Sequence, residues 1–140
     1  MNIAFVANGE VFHIQDTSVF FRSAEFEQYF SSTTTFIDSS KYPLVTTNYF
    51  YENGFFYDPE DVEKINPIQE QTPHEQYVKI AFIQNGKVIS TTEFDSQNNF
   101  GIKMIAGLLS NPIFVDISSN PEVQEGWILS GSQFYPPQNG

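Results

Sequence analysis

The sequence predicts an α+β protein made of two tandem copies of one small unit, each an antiparallel sheet covered on one face by a helix. Three observations carry that expectation: two blocks of residues recur, Asn-Gly turns punctuate β-prone runs, and an apolar stripe at helical spacing follows the first hairpin. Residues 2–12, NIAFVANGEVF, return as residues 79–89, KIAFIQNGKVI, at an offset of 77. Residues 36–59 match residues 114–137 without a gap at an offset of 78. One inserted residue reconciles the two offsets. The copies are read as 1–60 and 78–140, separated by an acidic Gln/Pro linker over 61–77 that is poor in aromatics and expected to be extended and solvated.

Each copy opens with a hairpin, because Asn8-Gly9 and Asn85-Gly86 supply the two positive-φ residues of a tight type I′ turn. A helix follows, capped by Ser18 or Ser23 and running to about Phe30, with Phe26, Tyr29 and Phe30 on one face. In the second copy Ser96 to Leu109 takes that place, with Met104 and Leu108 aligned to Phe26 and Phe30, and Gly101 and Gly107 weakening the helix. A strand comes next at Phe36-Ile37-Asp38 or Phe114-Val115-Asp116, then a Pro-containing loop. A second hairpin closes each unit, turning at Glu52-Asn53-Gly54 and at Ser130-Gly131. A unit of this size hides only about 60% of the surface its unfolded chain exposes, so each copy needs a neighbour, and an open sheet edge is the natural place for one.

Composition narrows the function. The chain has 140 residues and a formal charge of -11, so a nucleic-acid backbone would be repelled and no nucleic-acid partner is expected. With 40% hydrophobic residues it can build a core. The opening residues lack a basic region and Asn8-Gly9 breaks their apolar run, so they do not read as a secretory signal; no apolar stretch approaches the ~20 residues that span a bilayer, and no membrane partner is expected.

No catalytic, cofactor-binding or metal-ligating residue is assigned. Cysteine is absent, which excludes disulfides, thiolate metal sites and cysteine nucleophiles. His13 aligns with Ser90 and His74 lies in the linker, so the repeat carries no histidine site. Ser130-Gly131-Ser132 reads as a turn, and no phosphate loop, dinucleotide fingerprint, zinc or calcium motif is present. Asp38 and Asp116 are the carboxylate pair that both copies keep. Each is expected to accept backbone N–H bonds in an Asp-x-Ser turn rather than to act as acid, base or cation ligand.

Aromatic residues are the informative excess, with fifteen of the chain's 23 in the first 60 positions. Runs such as Tyr49-Phe50-Tyr51 place rings on both faces of a sheet, so one face needs cover from the other copy or a partner. Phe20, Phe21, Tyr49, Phe50, Tyr51, Phe55 and Trp127 are therefore the expected partner interface.

The opening KIAFIQNGKVI, the middle FVDIS and the ending GWILSGSQFYPPQNG resemble a terminal module of small structural proteins of tailed bacteriophages, including cyanobacterial ones. The module ends G-W-x-Y-D-G-x-x-F-x-P-P; Gly126, Trp127, Gly131, Phe134, Pro136 and Pro137 fit, while Leu129 and Ser130 replace its Tyr and Asp. The resemblance implies a virion component without enzymatic activity: a tail-fibre, baseplate, neck or capsid adaptor or decoration that binds other virion proteins, with self-association a further expectation. Two other classes compete with it. An acidic DNA mimic that blocks a host nucleic-acid enzyme would use the negative charge, and a carbohydrate-binding tip protein would use exposed rings.

Overall fold

A computed structural model describes residues 2–16, 30, 33–73 and 75–137. The order of elements is β1 (Asn2–Ala7), β2 (Glu10–Asp16), β3 (Thr35–Asp38), β4 (Phe50–Glu52), β5 (Phe55–Tyr57), β6 (Tyr77–Gln84), β7 (Lys87–Asp95), α1 (Asn99–Leu108), β8 (Ile113–Asp116), β9 (Ile128–Ser130) and β10 (Gln133–Tyr135). The expected α+β class, with a helix-covered sheet in each of two tandem copies, does not form. Among the described residues there are instead ten strands in two curled antiparallel sheets and one ten-residue helix, so the protein is mostly β. The helix expected between Ser18 or Ser23 and Phe30 lies, apart from Phe30 itself, outside the described residues.

Strand pairing gives the physical reason for the difference. One sheet has the order β10-β9-β2-β1-β8 and the other β3-β6-β7-β4-β5, so each sheet joins the opening hairpin of one sequence copy to the later strands of the other. Backbone proximity divides the chain accordingly into a first unit, 1–32 with 106–140, and a second unit, 33–105. An apolar pattern fixes which face of a strand is buried, but a strand from either copy satisfies it equally.

The two units are built alike down to single hydrogen bonds. Asn8 and Gly9 have φ of 53° and 78°, and Asn85 and Gly86 have 50° and 75°, the left-handed pair that closes a type I′ hairpin. Both hairpins then shift register at the same place, between Phe5 and Val6 and between Phe82 and Ile83. Phe5 pairs with Phe114, and Phe36 with Phe82. Val11 N donates to Trp127 O and Val88 N to Tyr49 O, both at 2.8 Å. Leu129 N donates to Gly9 O and Tyr51 N to Gly86 O, both at 2.7 Å. The cores also correspond. Ala4, Val6, Val11 and Val123 in the first unit take the positions of Ala81, Ile83, Val88 and Val45 in the second.

Two substitutions between equivalent positions stand out. Ile117 is buried in the first unit, where the second has buried Ser39, whose N and Oγ both donate to Lys79 O at 2.7 and 3.1 Å. Asn2 in the first unit corresponds to Lys79 in the second. The Lys79 ammonium donates to the carbonyl oxygens of Tyr42, Pro43 and Val45, closing the loop after β3. Burial pushes the Lys79 pKa down, with nearby Glu93 acting in the opposite sense.

The stretch between the copies is more ordered in its contacts than its composition suggests. Asp61 accepts from Ile65 N at 3.2 Å and Asn66 N at 2.8 Å. Ile68 N donates to Phe56 O and Gln71 N to Lys41 O, both at 2.8 Å, and the Ile68 side chain packs on the core of the second unit. Val62 stays 71% exposed at its turn.

Candidate functional site

The residues expected to meet partners fall into different environments. Phe20 and Phe21 lie outside the described residues. Tyr49 and Tyr51 are half-buried against the core of the second unit, and Trp127 is half-buried against that of the first. Phe50 is half-buried, with the ammonium groups of Lys64 and Lys87 5.3 and 5.5 Å from its ring centroid. Lys64 also pairs with Glu52 at 3.0 Å. Of the five that are described, Phe55 alone remains half in water, at 50% exposure on β5, an end strand of its sheet. Alternation along short strands explains the split, since the rings flanking each outward position turn onto the core.

The conserved carboxylates of the repeat serve their turns. Asp38 Oδ1 accepts from Ser40 N at 3.0 Å and Ser40 Oγ at 2.5 Å, and Asp116 Oδ1 accepts from Ser118 N at 2.9 Å. Bonds from the Ser118 hydroxyl and then its amide hold the Asp116 carboxyl below its ordinary pKa. His13 packs edge-on against Phe5 and has Nε2 3.0 Å from Gln15 Oε1; His74 lies outside the described residues. Among the described residues no group of three or more His, Asp or Glu side chains is placed to hold a metal ion, and no helix is long and apolar enough to cross a membrane.

A concavity lies in the second unit, where the loop after β3, the β4-β5 hairpin and the segment after β5 come together. Its volume is about 370 Å³, and Asp38, Lys41, Tyr42, Tyr51, Glu70 and Pro73 contribute to its walls. Buried Phe56 forms its floor, with the rings of Tyr42 and Tyr51 at 5.0 and 4.8 Å from it. Tyr42 Oη donates to Glu70 Oε1 at 3.2 Å, and Lys41 Nζ lies 4.0 Å from Glu70 Oε2. Burial, followed by the charge of Glu70 and its hydrogen bond, raises the Tyr42 pKa. A second cleft of about 310 Å³ shares Ser40 and Pro73 with the first, and a third of about 510 Å³ shares Tyr42 and Glu70 with it.

Sequence reasoning did not single out Lys41, Tyr42, Glu70 or Pro73. Glu70 and Pro73 sit in a stretch whose composition reads as solvated linker, and of its aliphatic residues Val62 and Ile65 stay exposed while Ile68 docks on the core. No protein-family model, curated protein or solved structure matches the chain.

Proposed function

We propose that this protein is a non-catalytic structural component of a tailed-phage virion, an adaptor or decoration that binds other virion proteins. The observation that carries the reading is the placement of exposed aromatic side chains on end strands. Phe55 on β5 and Tyr135 on β10 are 50% and 49% exposed, and these strands end the two sheets. A half-exposed ring on an end strand supplies an apolar anchor for a partner; on β5 the Phe56 carbonyl is already bonded to Ile68 N, so there the ring rather than the strand edge carries the contact. Two units with one frame and different surface residues suit a link between unlike neighbours. The sequence resemblance of the closing G-W-x-x-x-G-x-x-F-x-P-P run to phage structural modules points to the particle as the setting.

Mass spectrometry of purified particles tests the setting, and the expected result is this chain at a fixed stoichiometry. Pull-down of solubilised virion proteins with wild type and with Phe55→Glu tests the surface. Specific capture lost on substitution is expected; absence from the particle together with no captured virion protein overturns the reading.

A further inference from the structure

The cleft of the second unit is not something the repeated frame requires. Asp38, Ile37 and Phe56 have close counterparts in Asp116, Val115 and Phe134, and these keep the same turn, strand and core position in the first unit. The wall residues differ. Lys41, Tyr42 and Tyr51 correspond to Ser119, Asn120 and Leu129, so the same fold forms without an ammonium or a tyrosine at those places. Glu70 and Pro73 come from a segment that has no counterpart in the repeat at all. Side chains that the frame does not need, gathered around one concavity, mark a site for something else.

The chemistry of the walls selects the ligand class. An anion would meet the carboxylates of Asp38 and Glu70, and a cation would meet the Lys41 ammonium beside carboxylates already engaged by Ser40 and Tyr42. A neutral polyol suits both signs, because each hydroxyl donates to a carboxylate and accepts from an ammonium or a phenol. Two half-buried tyrosines on an aromatic floor offer apolar ring surface with polar tips, which matches the apolar face and hydroxyl rim of a pyranose. The volume falls in the ordinary range for small-molecule sites, about 300–1,000 Å³. Two further clefts share wall residues with it, so space for more than one sugar ring lies beside it.

We propose that this cleft, lined by Tyr42, Tyr51, Lys41 and Glu70, binds a neutral oligosaccharide, with the neighbouring clefts taking further sugar rings. The assignment does not rest on the adaptor reading, and it holds or fails whether or not the chain is found on a particle.

The test is a titration of the intact protein, followed by amide and tyrosine-ring NMR signals, with neutral oligosaccharides of glucose, galactose and N-acetylglucosamine from one to four units long. The expected result is saturable shifts confined to the surroundings of residues 38–42, 51 and 70–73, with dissociation constants of about 0.1–10 mM that tighten with chain length. Tyr42→Asn and Tyr51→Leu install the residues that the first unit carries at these positions. Each should weaken binding ~10-fold or more while leaving the remaining amide spectrum unchanged. No saturable shift with any of these sugars at about 10 mM overturns the proposal. So does equal binding by correctly folded variants, or stronger binding of sulfated oligosaccharides, arginine or choline; the wild-type titrations decide even where a variant does not fold.

Discussion

Phe5 faces Phe114 across paired strands, the ring centroids 4.9 Å apart and the planes at 90°, and Phe36 meets Phe82 at 4.9 Å and 77°. Each pair joins the opening hairpin of one sequence copy to the middle strand of the other. The contact is therefore a direct probe of which copy completes which sheet. Phe82→Ala removes a buried ring and should cost about 3–5 kcal/mol in urea unfolding. A double-mutant cycle with Phe36→Ala should return a coupling of about 0.5–1.5 kcal/mol, and a coupling near zero would show that these two strands do not pair in solution.

A chain cut between the copies tests the strand exchange as a whole. Val62 is exposed, so a protease site placed after it should be cleaved in the folded protein. The fragments 1–62 and 63–140 each hold part of both sheets. They should co-elute in size-exclusion chromatography and separate only in denaturant; separation in native buffer would show that each copy closes on itself.

Lys79 donates to three loop carbonyls, and Asn2 occupies the same position in the first unit. Lys79→Met should destabilise the protein by about 1–3 kcal/mol, because carbonyls bonded to a charged donor lose it. Asn2→Lys should place an ammonium against the corresponding loop, Asn120 to Val123, and raise stability by up to about 1 kcal/mol. Denaturant midpoints at constant m-value report both changes.

Helix propensity alone would favour Gly101→Ala by about 1 kcal/mol. A Cβ there would stand 1.7 Å from the Asp95 carbonyl oxygen, in a first turn that Asn98 caps by accepting a 2.6 Å bond at its Oδ1 from Gly101 N. The substitution should therefore lower the melting temperature. Gly107 is close to the Phe12 ring, 2.4 Å from a virtual Cβ, and its alanine variant should act in the same direction.

Tyr42 should titrate above the ordinary tyrosine value of about 10, first through burial and then through Glu70. Since the folded phenol keeps its proton where the unfolded one loses it, stability falls as the pH rises from the unfolded value through the folded one. Glu70→Gln removes the charge, so the tyrosinate absorbance should appear at lower pH and the alkaline loss of stability should shrink. An unchanged titration would show that Tyr42 and Glu70 do not meet in solution.

Much of the local structure was legible in the residues. The Asn-Gly turns at 8–9 and 85–86, the strand at Phe36 and the helix before Ser110 all follow from turn chemistry, β-branched runs and apolar spacing. Asp38 and Asp116 likewise bind their own turns as Asp-x-Ser predicts. Pairing was not legible. Val11 and Val88 lie in matching patterns, and nothing in either sequence block says that Val11 bonds to Trp127 or Val88 to Tyr49. The cleft was hidden for a different reason: Glu70 and Pro73 gain their place only because Ile68 and Gln71 fasten the chain beside Lys41 and Phe56, and three long-range contacts leave little periodic trace.

Exchange of strands between duplicated halves also says something about how such a chain came to stand alone. A lone half, carrying one hairpin and the strands meant for another, could complete a sheet only by meeting a second molecule, so its folding would depend on dilution. Joining two halves through the 19 residues between Tyr57 and Tyr77 turns that encounter into a ring closure within one polypeptide, whose entropy grows only slowly with the length of the join. Folding of the fused protein should therefore be independent of its concentration.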